Sequence, residues 1–139
     1  MPTARKAVVP TAIPVAEGED PWTPEELAEV RAELTAEVRR LERALEVAEA
    51  ELQDLFSDGE AAGRDAADIG SSNYERDQEM VLAHNAREML DQANLALRLF
   101  DSGQYGTCEQ CGRPIGKDRL QVFPRAILCM TCKRREERR

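Results

Sequence analysis

Cys108 and Cys111 are separated by two residues, 17 residues follow, and Cys129 and Cys132 repeat the same short spacing. Each Cys-x2-Cys pair curls so that both sulfurs point at one centre, and two such pairs complete the tetrahedron that zinc prefers, at about 2.3 Å per Zn–S bond. Gly106 and Gly112 flank the first pair and allow the tight backbone such a knuckle needs. Protein fills all four positions and leaves none open to water or substrate, so the chemistry expected is one structural Zn²⁺ and no catalysis. A redox dithiol or two disulfides would use the same residues, but a reducing compartment and the symmetry of the pairs disfavour both. His84, the single histidine, is not needed as a ligand and reads as a helix-surface residue.

A second group of reactive side chains is acidic: Asp58, Glu60, Asp65 and Asp68, with Arg64 among them. On one helical turn Asp65 and Asp68 stand three apart and share a face. Judged alone, this cluster is what a wet loop between two helices accumulates. A paired-carboxylate catalytic site needs a cleft, which the end of a two-helix rod does not offer.

The elements that would position these groups are helical. Thr23 suits an N-cap, Pro24 the first helical position and Glu26 the reciprocal position of a capping box. Trp22 and Leu27 occupy the two positions of a hydrophobic staple. Leu27, Val30, Leu34, Val38, Leu41, Leu45, Ala48, Leu52 and Leu55 then recur at alternating steps of three and four, the spacing of a coiled-coil seam. Periodicity gives way after Phe56, and Ser57, Asp58, Gly59, Gly63, Gly70, Ser71 and Ser72 suggest a loop or frayed tip over 57–72. A second helical run carries Leu82, Ala86, Leu90, Ala93, Leu97 and Phe100 and stops at Asp101-Ser102-Gly103. Two helices of about 30 residues joined by a tip bury their stripes only by packing antiparallel, as a hairpin roughly 45 Å long. The expected fold is all-α dominated: a flexible tail over 1–20, a coiled-coil hairpin over 21–103, and a small four-cysteine zinc-finger region with a basic C-terminal helix over 104–139.

Composition agrees. Of the 139 residues, 19 are Ala and 13 Leu, against 12 Val and Ile together, which favours helix over sheet. Six aromatics cannot fill the core of a compact enzyme. The net charge of −8 suits a phosphate backbone poorly, and no apolar run approaches the roughly 20 residues that span a bilayer. Pro2, Pro10 and Pro14 interrupt the N-terminal stretch, which lacks a signal-peptide core, so a cytoplasmic, membrane-free protein is expected. The charge is uneven: residues 108–139 hold 9 basic and 4 acidic side chains, or +5, leaving −13 for residues 1–107. Four thiolates with one Zn²⁺ add −2, for a holo charge near −10.

Gly103, Tyr105, Gly106, Cys108, Cys111, Gly112 and Ile115, followed by Arg119, Leu120, Pro124, Ala126, Leu128, Cys129 and Cys132, resemble the zinc-finger signature of the DksA/TraR family of bacterial transcription factors. The resemblance is specific over 103–133, and with the hairpin it covers about 20–139. It implies a zinc-finger globule with a long coiled coil that binds RNA polymerase. The coiled coil would enter the secondary channel, tip toward the active site, without specific contact to promoter DNA. The family carries Asp-x-x-Asp-x-Ala at the tip; both carboxylates carry over to Asp65 and Asp68, while Gly70 replaces the Ala. A glycine there loosens the helix start by roughly 0.5–1 kcal/mol. The resemblance further implies a response to ppGpp through basic residues. Lys133 matches one of them, but Gln92 and Phe123 stand where the family offers Lys and Arg, which argues against ppGpp potentiation.

These readings converge on a monomeric transcription regulator acting through the polymerase secondary channel. The alternative is a zinc-stabilised coiled-coil adaptor that binds another helical protein. Direct DNA binding has only the basic end around Lys133-Arg134-Arg135 to recommend it.

Overall fold

The computed structural model describes residues 13–59 and 66–138. Four helices follow one another: α1 (Pro24–Gly59), α2 (Ala66–Ser102), α3 (Lys117–Val122) and α4 (Met130–Glu137). Among the described residues no strand forms, and one isolated bridge, Thr107 to Pro114, is the nearest approach to one. No described helix is long and apolar enough to cross a membrane.

Helix α1 starts where its capping chemistry dictates. The Thr23 hydroxyl accepts from the Glu26 amide at 3.2 Å, and the Glu26 carboxylate accepts from the Thr23 amide at 3.0 Å, closing the capping box. Trp22 packs against the cluster that contains Leu27, as a staple requires. The α1 stripe is buried from Leu27 through Ala48 and half-buried at Leu52 and Leu55. At 36 and 37 residues the helices exceed the expected 30, giving about 54 Å for α1.

The chain divides into two compact units, Met1–Glu37 with Gln92–Arg139, and Val38–Asp91. In the first, Leu27, Val30 and Leu34 of α1 meet Ala96 and Phe100 of α2 in a cluster that also takes in Tyr105, Ile115, Leu120 and Ala126. The Phe100 and Tyr105 rings are tilted at 5.3 Å, and the Tyr105 hydroxyl donates to the Pro124 carbonyl at 2.6 Å. Arg31 grips Asp101 with both ends of its fork. In the second unit Arg87 reaches Glu49 at 2.8 Å. Within each unit the two helices are paired and antiparallel.

Three expectations are corrected. Irregular backbone over 57–72 is not observed where the structure is described, because α1 continues to Gly59 and α2 already runs from Ala66. Helix-forming Ala66, Ala67 and Ile69 outweigh the local glycine and serines. Leu82 does not join the seam and is 55% exposed. Counting back from Leu90 by alternating four and three gives the half-buried Ala86, Ala83, Glu79 and Arg76 instead. Lastly, of the flexible tail expected over 1–20, residues 1–12 lie outside the described residues, and residues 13–20 are ordered packing: Ile13 is buried, and Glu19 accepts from the amides at the start of α3.

The polar seam positions have a cost. Glu79 keeps its proton to higher pH than usual, first through burial and then through the facing charge of Glu51. One Glu79 oxygen and Nε of Arg76 are buried without a hydrogen-bond partner among the described residues, although Arg76 also lies over the Phe56 ring at 5.3 Å.

Candidate functional site

The first cysteine pair sits on a turn built by backbone hydrogen bonds. The Cys108 amide donates to the Arg113 carbonyl at 2.8 Å, the Gly112 amide to Cys108 at 3.0 Å, and the Ile115 amide to Gly106 at 2.9 Å. Gly106 and Gly112 take φ of 95° and 73°, the left-handed region that the tight turn demands. The second pair uses a helix start, with Cys129 preceding α4 and Cys132 in its first turn. The Glu109 amide donates to the Ile127 carbonyl at 3.0 Å, tying the two halves together.

The four Sγ atoms lie within 4.8 Å of one another. Cys111 Sγ and Cys129 Sγ stand 3.7 Å apart, matching the edge of about 3.8 Å in a tetrahedron with Zn–S bonds of about 2.3 Å. Cys108 and Cys132 are buried, Cys129 is half-buried and Cys111 is exposed. Burial pushes the Cys108 thiol up, but the amides of Cys111, Cys129 and Gln110 outweigh it and leave the thiol at about 6. Cys132 is pushed up to about 12, by burial first and then by the surrounding sulfurs. Backbone amides thus favour a thiolate at one corner, and a divalent ion would do so at the rest. The donor set, its size and its closed geometry fit one structural zinc. The metal would be held by these four sulfurs and would supply cross-linking.

Of the remaining site residues, Asp65 lies outside the described residues, and Asp68 is described only as a helical residue of α2. Gly70 is exposed in the same helix, and among the described residues a Cβ there would meet nothing within 4 Å. His84 is exposed and pairs with Glu88 at 3.1 Å. Lys133 lies on α4, 3.8 Å from Glu136. The structure does bring Gln92, Phe123 and Lys133 together, as linings of one cavity of about 500 Å³. Three cations whose place there the sequence does not announce join the lining: Arg119, Arg125 and Arg134. Arg125 is held by Glu37 at 3.3 Å and Gln92 donates to the Arg125 carbonyl at 3.1 Å. Arg119 lies over the Phe123 ring at 5.9 Å. Arg119 belongs to the zinc-finger signature, but only the folded chain shows which way it and Arg125 face.

A paired helical hairpin and a four-cysteine zinc lobe define a helical zinc-finger protein. The pattern of the prokaryotic dksA/traR C4-type zinc finger matches residues 103–138. The structure of transcription factor DksA2 from Pseudomonas aeruginosa is similar over 83% of this chain and 85% of that one, with 30% identity and a TM-score of 0.66. The chain therefore belongs to the DksA/TraR C4 zinc-finger family. Among curated relatives, the RNA polymerase-binding transcription factor DksA of Caulobacter vibrioides is 37% identical over 54% of this chain and 53% of its own length. An uncharacterized protein of Aquifex aeolicus is 31% identical over 76% of this chain and 71% of its own. The match thus spans about half the length of the Caulobacter relative.

Proposed function

We propose that this chain is a transcription regulator that binds RNA polymerase and reaches into its secondary channel with the α1–α2 hairpin, modulating initiation. The observation that carries this reading is the joining of a family zinc finger to a long paired hairpin, in a chain similar over most of its length to a transcription factor. In this account Cys108, Cys111, Cys129 and Cys132 hold one zinc that organises the lobe. Asp65 and Asp68 are presented near the active-site magnesium, where two carboxylates interfere electrostatically with catalytic elements. The chain itself catalyses nothing and works as a monomer in the cytoplasm, without sequence-specific DNA contacts. Lys133 and its neighbouring cations offer the polymerase, or an anion such as ppGpp, a basic surface. With Gln92 and Phe123 in place of cations, regulation is expected to persist without ppGpp.

The test is competition for purified polymerase with a known secondary-channel factor. Wild-type protein is expected to displace it, and Asp68→Asn to displace it equally. Failure of the wild type to bind at micromolar concentration would overturn the reading.

The exposed Val47, Met80, Val81 and Leu82 favour one second reading, an adaptor that pairs its hairpin with another helical protein. A stable dimer or hetero-complex in light scattering, together with absent polymerase binding, would select it.

A further inference from the structure

We propose that residues 13–20 form a strap that holds the zinc lobe closed on its metal, with Ile13 as the wedge and Glu19 as the latch. This concerns the zinc site alone and does not depend on polymerase binding.

The wedge end is defined by a close approach. Ile13 is 6% exposed and belongs to the cluster of Tyr105, Cys108, Ile115 and Leu120. A Cβ on Gly106 would stand 2.6 Å from Ile13 Cγ2, so the strap presses on a backbone with no room for a side chain. Gly106 lies two residues before Cys108 and accepts the Ile115 amide that closes the knuckle. Ile13 therefore bears directly on the turn that presents the first two sulfurs.

The latch end answers an unmet need. Helix α3 begins after Gly116, which has no side chain with which to cap it. Glu19 supplies the acceptors from 98 residues away: its Oε1 accepts from the Lys117 amide at 2.9 Å and its Oε2 from the Asp118 amide at 2.8 Å. The same Oε1 accepts from the Ala16 amide at 2.7 Å, which braces the strap itself. The Asp118 amide leads in holding the Glu19 carboxyl below its usual range against the opposing effect of burial, so the latch is charged at neutral pH. Lys117 adds an ion pair to Glu26 at 2.8 Å just beyond the strap. Between wedge and latch lie residues 106–117, which carry Cys108 and Cys111. Opening that turn to release metal requires the strap to let go.

The experiment uses full-length, zinc-loaded protein and follows metal transfer to excess pyridylazo-resorcinol by absorbance at neutral pH. Glu19→Ala and Ile13→Ala are each expected to release zinc about tenfold faster than wild type. Glu19→Gln, which retains one acceptor oxygen, should fall between, and the exposed neighbour Glu17→Gln should match wild type. Wild-type release rates in both Glu19→Ala and Ile13→Ala would overturn the proposal. Hydrogen exchange on the zinc-loaded wild type gives a readout that needs no variant. The Lys117 and Asp118 amides are expected to be protected, and exchange at free-peptide rates would show that no latch exists.

Discussion

A thiol binds zinc as a thiolate, and Cys108 and Cys132 are prepared for that state unequally. Cys108 is buried yet served by three backbone amides, whereas Cys111 is exposed and contributes little to packing. Cys111→Ser is therefore expected to remove a ligand without opening a cavity, weakening zinc affinity by more than about tenfold. Metal content by mass spectrometry checks this, and full zinc occupancy in the variant at limiting metal would contradict it. These ligands were legible in the sequence because each pair is local and its spacing is itself the geometry. Glu19 was not legible, since nothing in a Gly-Glu-Asp stretch announces a partner 98 residues away. Glu26 was half legible: its capping role follows from Thr23, while its ion pair with Lys117 needed the fold. The hydrogen bond from Lys117, then those of Thr23, hold Glu26 below its ordinary 4.5 against burial. A lowered carboxyl stabilises the fold above its ordinary pKa and loses that contribution as pH falls through the folded value. Glu26→Gln is thus expected to lower the melting temperature at neutral pH, with the difference from wild type shrinking below about pH 4.5. A gap that widens in acid would contradict the assignment.

At the scale of elements, the α1 seam was readable because Leu and Val mark nearly every core position. The α2 seam was readable only at its proximal end, where Leu90, Ala93 and Phe100 mark it, because alanines and charged residues occupy its distal positions and Leu82 imitates a continuation from Ala86. Burial separates the two leucines: Leu34 is 0% exposed and Leu82 is mostly outside. Leu34→Ala is expected to destabilise the protein by about 2–5 kcal/mol, and Leu82→Ala by no more than about 0.5 kcal/mol. Chemical denaturation of both variants measures the contrast, and comparable losses would place Leu82 in the seam after all. The helix ends at the acidic segment were misread for a related reason. Gly59, Gly70, Ser71 and Ser72 signal a break locally, but each costs a helix only about 1 kcal/mol or less, which flanking alanines offset.

For the whole molecule, the charge asymmetry of the sequence bears on function more than its sum. The −13 of residues 1–107 contains the hairpin, while the +5 of residues 108–139 contains the cations lining the zinc-lobe cavity. A long acidic hairpin is poorly matched to lying along DNA, and its charge supports the proposed approach to a magnesium-bearing site. Fold class, zinc ligands and family were legible from the sequence. The cavity that gathers Gln92, Arg119, Phe123, Arg125 and Lys133 was not, because it assembles α2, α3, α4 and the loop between them. The most direct measurement is transcription in vitro with the cognate polymerase, without ppGpp, comparing wild type with Asp68→Asn at concentrations where both bind. The account predicts that the wild type shortens or lengthens the lifetime of initiation complexes while Asp68→Asn binds and leaves that lifetime unchanged. A wild type that binds without altering initiation, or an Asp68→Asn variant as active as wild type, would contradict it.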